Sequence, residues 1–219
     1  MDGVSLSIKE NEMVAFVGES GSGKSTLLRT IIGMYERDGL DMEIGGLPFT
    51  ADAIGEWRRC FAYVDQSCKL FDMSIAENIT IGLPSQNQQG MIQAAKRAIA
   101  HDFISELPEG YATSCGEKGA SLSGGQRQRI AIACALYRKA PILVFDEATS
   151  ALDAESERGI MKTIENLRHD HTILMTTHNL SNVITANKIV VMDNGRIAEC
   201  GTHHELLEKG GLYTKLLEG

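Results

Sequence analysis

Three kinds of apolar pattern organise this chain. Met13 to Val17 is an unbroken apolar run, and Ile142 to Phe145 is another; short runs bounded by polar turns read as buried strands. Val4 to Ile8 instead alternates apolar with polar, which predicts a half-buried strand. A helical period follows Lys24, with Leu27, Leu28, Ile31 and Ile32 on one face and Gly33 near its end. Residues 39–66 are rich in strand and turn signals, punctuated by Gly45-Gly46 and Pro48. Ser74-Ile75-Ala76-Glu77 has capping-box spacing and opens a short helix. Ser85 to Gly90 reads as a polar loop, and residues 91–106 as a helix stopped by Leu107-Pro108-Glu109-Gly110.

Beyond Pro141 the strand–helix alternation returns. Residues 155–168 read as a helix with Ile160, Met161, Ile164 and Leu167 on one face. Thr172–Thr177 and Lys188–Asp193 read as strands, and Asn194-Gly195 marks a hairpin turn after the second. Residues 203–218 read as two short helices broken at Gly210-Gly211. The pattern predicts a single α/β domain. Residues 1–66 and 136–219 form its core, with antiparallel strands, and 67–135 form a mainly helical insertion.

Composition narrows the class. Lys plus Arg is 21 and Asp plus Glu is 29, giving a net charge of −8 over 219 residues. That balance speaks against a nucleic-acid partner. The cysteines, Cys60, Cys68, Cys115, Cys134 and Cys200, are odd in number and scattered, which fits reduced thiols rather than disulfides or zinc. No apolar stretch approaches the ~20 residues that span a bilayer. Any work at a membrane therefore requires an anchor elsewhere.

Gly18-Glu19-Ser20-Gly21-Ser22-Gly23-Lys24-Ser25 fits G-x-x-x-x-G-K-[ST], between a predicted strand and a predicted helix. Glycines let backbone amides close around phosphate oxygens, and the helix N-terminus adds partial positive charge. Lys24 is placed to reach the β- and γ-phosphates of a nucleotide, and the Ser25 hydroxyl to ligate Mg²⁺. Asp146 and Glu147 emerge from the second apolar run, at the strand end where open α/β sheets hold ligands. Asp146 can hold the metal, and Glu147 can accept a proton from an attacking water. Ser123-Gly124-Gly125-Gln126 has capping-box spacing and leaves glycine amides open to an anion, so it reads as a second phosphate-binding helix end.

In this order these motifs resemble the nucleotide-binding domain of ABC transporters, over nearly the whole chain. Gly18–Thr26 resembles the Walker A loop, Gln66 the Q-loop glutamine, and Leu122–Gln126 the signature segment. Asp146-Glu147 resembles Walker B with its catalytic glutamate, Ser150–Asp153 the D-loop, and His178 the switch histidine. Ser74–Ile79, Leu107–Tyr111, Gly116–Gly119 and Gly201–Leu207 are similar to the exporter branch.

The resemblance implies a P-loop NTPase core of RecA-like type, with a helical subdomain and an incomplete antiparallel β subdomain. It implies ATP and Mg²⁺ as cofactors. It also implies a head-to-tail pair with a second nucleotide-binding domain, identical or different, in which Ser123 and Gly125 contact the γ-phosphate held by the partner. Glu147, His178, Lys24 and Gln66 become the catalytic set, Ser25, Gln66 and Asp146 the metal set, and Asp153 a link between the two sites. Transmembrane permease domains, fused or separate, would place the chain at the cytoplasmic face of a membrane and set the transported substrate.

Three departures stand out. Only 17 residues precede Gly18, and none before Phe16 is aromatic, so the residue that stacks on adenine in the family is missing. Either the chain is a piece of a longer transporter, the favoured expectation and one with weakened ATP affinity, or adenine is held otherwise. Asp65 stands where exporters commonly carry proline, which implies a more pliable loop at Gln66. Cys134 stands where the family commonly has arginine and is expected to pack. A soluble ABC-type ATPase of repair, chromosome organisation or translation is the alternative, but no coiled-coil insertion or tandem cassette is present. A non-hydrolysing regulatory cassette is the other, but Glu147 and His178 are both retained.

Overall fold

The computed structural model describes residues 3–35, 39–83, 87–150 and 152–218. In chain order the first elements are β1 (Met13–Val17), α1 (Lys24–Ile31), β2 (Glu43–Ile44), β3 (Leu47–Pro48), α2 (Ile54–Arg59) and β4 (Phe61–Asp65). Helices α3 (Ile75–Thr80), α4 (Gln88–Arg97), α5 (His101–Glu106) and α6 (Gly124–Tyr137) follow. Then come β5 (Ile142–Asp146), α7 (Ala154–Leu167), β6 (Thr172–Thr176), β7 (Lys188–Asp193) and β8 (Arg196–Gly201). Helices α8 (His203–Lys209) and α9 (Leu212–Glu218) close the described chain. Contacts divide it into two compact units.

The first unit comprises Met1–Phe61, Pro141–Glu147 and Arg168–Gly219. Its sheet runs β5-β6-β1-β7-β8, parallel except for β8, which returns antiparallel beside β7. Parallel strands are covered on both faces, which is why their sequences are continuous rather than alternating. All of Met13–Val17 and Ile189–Val191 is fully buried. Asn194 (φ 46°) and Gly195 (φ 77°) make the tight left-handed turn of the β7–β8 hairpin.

Two details of this unit depart from the pattern. Val4–Ile8 is not a strand. Val4, Leu6 and Ile8 are half-buried and Ser5 and Ser7 exposed, so the alternation is real, but no strand pairs with the segment among the described residues. Alternation sets a face; a strand also needs a ladder partner. Helix α2 occupies a stretch read as strand and turn. It is only six residues long and has no side-chain cap. Trp57 holds it: the ring is 1% exposed, packs against Phe49 and Phe61, and donates Nε1–H to the Ile31 carbonyl at 2.8 Å.

The second unit comprises Ala62–Ala140 and Ala148–Leu167 and is mainly helical. Ser74 and Glu77 form the capping box of α3, Ser74 Oγ accepting from the Glu77 amide and Glu77 Oε2 from the Ser74 amide. The predicted polar loop at Ser85–Gly90 falls partly outside the described residues; Gln88–Gly90 is already helix, because Asn87 caps α4 by accepting from the Gly90 amide at 3.0 Å. The predicted 91–106 helix is two helices. Ile99 takes φ 54° between them, and the Ala100 amide returns to the Ala95 carbonyl at 2.7 Å. This is a left-handed helix stop with isoleucine where glycine is usual, so composition gave no signal for it. Helices α6 and α7 pack together, and Ile130, Ile132, Ile160 and Ile164 on them are completely buried. Among the described residues no helix is long and apolar enough to cross a membrane.

Candidate active site

β1 delivers the chain into the loop Gly18–Gly23, and α1 leaves it. Gly18 has φ 142°, and a Cβ there would collide with the Met192 carbonyl, so only glycine fits. Gly23, at the N-cap of α1, has φ 103° and no side chain to cap the helix. The first-turn amides therefore meet no capping side chain, which is the condition for receiving an anion. Lys24 is 4% exposed and folds back over the loop, its Nζ donating to the Gly18 and Glu19 carbonyls at 2.9 Å each. Burial lowers its pKa, and the charges of Glu147 and Asp146 oppose that shift. The buried Ser22 Oγ has no hydrogen-bond partner. Glu19 and Ser20 are exposed at the loop tip, Gly21 is exposed with φ 82°, and Thr26 is exposed on the first turn of α1.

Asp146 closes β5 and is 4% exposed. Its Oδ1 accepts from Ser25 Oγ at 2.7 Å and from Thr176 Oγ1 at 2.8 Å, while Oδ2 faces the Arg29 guanidinium at 3.4 Å. The β5–β6 register sets Asp146 opposite Thr176. Thr176 also receives the Glu147 amide, at 2.9 Å on Oγ1 and 3.2 Å on its carbonyl. Sequence reasoning missed Thr176, because only strand pairing brings it to the acids. Glu147 has φ 52°, a left-handed turn rare outside glycine, and these two bonds hold it there. The turn brings Glu147 Oε1 to 2.8 Å from His178 Nε2, just beyond the end of β6. Lys24, Ser25, Asp146, Glu147 and His178 thus share one unit and one sheet edge.

The other sequence-predicted residues lie in the second unit. Ser123 caps α6, its Oγ accepting from the Gln126 amide at 3.2 Å while Gln126 Oε1 accepts from the Ser123 amide at 2.9 Å. A Cβ on Gly124 would lie 3.3 Å from Leu152, and one on Gly125 3.0 Å from Ser156 Oγ, so both glycines serve a close packing. Asp153 starts α7: its Oδ1 accepts from the Glu155 and Ser156 amides and Oδ2 from Ser156 Oγ at 2.8 Å. Those bonds, led by the Ser156 amide, lower its pKa. Ala151 lies outside the described residues. Arg127 binds the Leu122 carbonyl at 2.6 Å, bracing the signature loop.

Gln66 is exposed in a turn that Asp65 ties down. The Asp65 carboxylate accepts from Ser67 Oγ at 2.8 Å and from the Cys68 amide at 2.9 Å, two restraints on the turn. Cys134 Sγ contacts the Asn78 carbonyl at 3.3 Å, and burial pushes its thiol up to about 12, so it packs as an unreactive side chain.

The first unit fits a nucleotide's phosphates and its divalent ion. It offers an uncapped helix end, a buried ammonium and an unpartnered serine hydroxyl to the anion, and a hydroxyl beside a carboxylate to a hard cation. A glycine loop between strand and helix, with an acidic strand end on the same parallel sheet, defines a P-loop NTPase. Residues 1–150 match the family model described as ABC transporter. The chain belongs to the ABC transporter family and is its ATPase domain. It is 46% identical over 216 residues to an ATP-dependent lipid A-core flippase of Saccharophagus degradans, covering 99% of this chain and 37% of the flippase. It is 45% identical over 218 residues to an ABC-type oligopeptide transporter of Homo sapiens, covering all of this chain and 28% of that protein. A bacterial Atm1-family ABC exporter solved with ATP bound superposes with a TM-score of 0.91 at 38% identity, covering 99% of this chain and 38% of that one.

Proposed function

We propose that this chain is the motor of an exporter, hydrolysing Mg-ATP and passing the resulting movement to transmembrane domains. The observation that carries it is the cluster at one sheet edge: Ser25 on Asp146, and Glu147 on His178 at 2.8 Å. The amides of the Gly18–Gly23 loop and Lys24 would bind the β- and γ-phosphates. Ser25 and Asp146 would hold Mg²⁺, with Gln66 completing its shell; the ion would neutralise charge on the phosphates. Glu147 would take a proton from water as its oxygen attacks the γ-phosphorus and the bond to the β–γ bridging oxygen breaks, releasing ADP and phosphate. His178 would orient Glu147 and contact the γ-phosphate.

Ser123 and Gly125 would complete the site of a second nucleotide-binding domain, and Asp153 would link the two. ATP then favours the closed pair because its γ-phosphate bridges two faces, and hydrolysis favours opening. The permease domains, fused or separate, would hold the pair at the cytoplasmic face of a membrane and choose the cargo. The test is Glu147→Gln. Turnover should fall by about 10²-fold or more, the scale of a lost general base, while ATP binding persists and a nucleotide-bound dimer accumulates in size-exclusion chromatography. Equal turnover in mutant and wild type would remove Glu147 from the mechanism.

A further inference from the structure

The glutamine loop and the signature helix are joined inside the second unit by a contact that the ATPase reading leaves unused. We propose that Cys68 is a positioning residue, fixing the loop that carries Gln66 to the helix that carries Ser123–Gly125, through a hydrogen bond from its thiol to Gln128. The proposal rests on the role assigned above to Gln66.

Cys68 Sγ lies 2.6 Å from Gln128 Oε1 and 3.0 Å from the Asp65 carbonyl. Cys68 is 6% exposed and Gln128 2%, so water does not compete for either group. Gln128 Nε2 is buried without a hydrogen-bond partner, so the thiol bond to Oε1 is the one side-chain hydrogen bond this amide makes. Breaking it would leave the whole group unpaired in the interior.

The loop is shaped to present this donor. Cys68 takes φ 39°, an unusual conformation for a side chain of its kind, and Asp65 holds it there through the Cys68 amide. Gln66 and Ser67 are the exposed tip between these two anchors. Gln128 stands on the second turn of α6, the helix that Ser123 caps. A displacement of Gln66 therefore either breaks the thiol–amide bond or pulls on the first turns of α6. Cys68 touches no substrate in this scheme; it acts through Gln66 and α6.

The full chain is assayed for ATP turnover as Cys68→Ala, which loses the donor without adding a branched side chain at φ 39°, as Cys68→Ser, which keeps the donor, and with Gln128→Leu alone and combined with Cys68→Ala. Cys68→Ala should lower kcat about fivefold, the factor of one neutral hydrogen bond, with KM for ATP unchanged. Cys68→Ser should restore it to within about twofold, and the double variant should be no slower than Gln128→Leu. Amide hydrogen exchange in residues 65–70 should quicken in Cys68→Ala and not in Cys68→Ser, a readout that stands if turnover is low for other reasons. Wild-type kcat in Cys68→Ala, equal loss in the serine variant, or additive loss in the double variant would overturn the proposal. Gln66→Ala separates the two levels. If it slows turnover and Cys68→Ala does not, only the positioning role falls; if it leaves turnover intact, the role of Gln66 falls and this proposal with it.

Discussion

Glu147 Oε1 lies 2.8 Å from His178 Nε2, and the Glu147 main chain is turned to φ 52° to put it there. The imidazole fixes the orientation of the Glu147 carboxylate. His178→Ala should therefore leave nucleotide binding within about twofold and lower kcat by about 10²-fold, the scale of a misoriented acid–base group. Phosphate release and fluorescent-nucleotide titration measure the two effects. Loss of binding with unchanged kcat would place His178 in ground-state recognition instead.

Thr176 serves both acids with one hydroxyl, donating to Asp146 and accepting from the Glu147 amide. Valine has nearly the same shape and neither function. Thr176→Val should cost about 1–3 kcal/mol, the usual penalty for stranding buried polar groups. It should also weaken metal-dependent nucleotide binding, because Asp146 loses an orienting donor. Urea denaturation gives the first number, and a Thr176→Ser variant should recover most of it. A valine variant as stable as wild type would mean that water or Ser25 replaces the hydroxyl.

Lys24 carries a pH signature. Burial lowers its folded-state pKa, only partly opposed by Glu147 and Asp146, whereas in the unfolded chain the ammonium is hydrated and ordinary. Below the folded pKa the fold bears the cost of a buried charge. Between the folded and unfolded values the unfolded chain binds more protons, so this lysine's contribution to stability improves as pH rises through that interval. Lys24→Met should raise stability at neutral pH and remove the alkaline improvement. Nucleotide affinity should run the other way, falling as pH climbs past the lowered pKa, because phosphate needs the ammonium. Thermal melts and nucleotide titrations across alkaline pH follow both. Parallel pH profiles in wild type and Lys24→Met would show that Lys24 does not carry either effect.

The alternation of texture along the chain exposed the fold. The continuous apolar runs at Met13–Val17 and Ile142–Phe145 are the buried strands β1 and β5 of the parallel sheet. The site was legible wherever its residues are local in sequence, as in the Gly18–Ser25 loop and the Ser123–Gln126 cap, because helix-end chemistry acts over one turn. What escaped needs partners from elsewhere. Thr176 meets Asp146 through strand register, Trp57 stabilises α2 through the distant Ile31 carbonyl, and Val4–Ile8 has the face of a strand without a neighbour. Asp65 reads in sequence only as a replaced proline, because its two hydrogen bonds exist only once the turn at Gln66 has formed.

Lys139 follows α6 in the left-handed region, φ 56°, and is exposed. Glycine is the usual residue at this stop, since a side chain there costs about 1–2 kcal/mol. Lys139→Gly relieves that strain and loses about 0.5–1 kcal/mol to chain entropy. The net expectation is a gain of about 0.5–1 kcal/mol, or a melting temperature about 2 °C higher for a chain of this size. A lower melting temperature would show that the lysine side chain makes a stabilising contact of its own.

Ser123 is exposed, its hydroxyl caps α6, and Gly124 and Gly125 behind it are packed against Leu152 and Ser156. A capped helix end that stays open to solvent suits an anion brought by another molecule. Aspartate caps a helix as well as serine does, so Ser123→Asp should leave the fold and single-chain nucleotide binding unchanged. It places a negative charge where a partner's γ-phosphate would arrive. Hydrolysis that rises steeply with chain concentration in the wild type should then become slow and linear in the mutant. Nucleotide titration at low concentration and phosphate release over a concentration series separate the two functions. A mutant that retains the steep dependence and full turnover would mean that this helix end does not complete a neighbouring site.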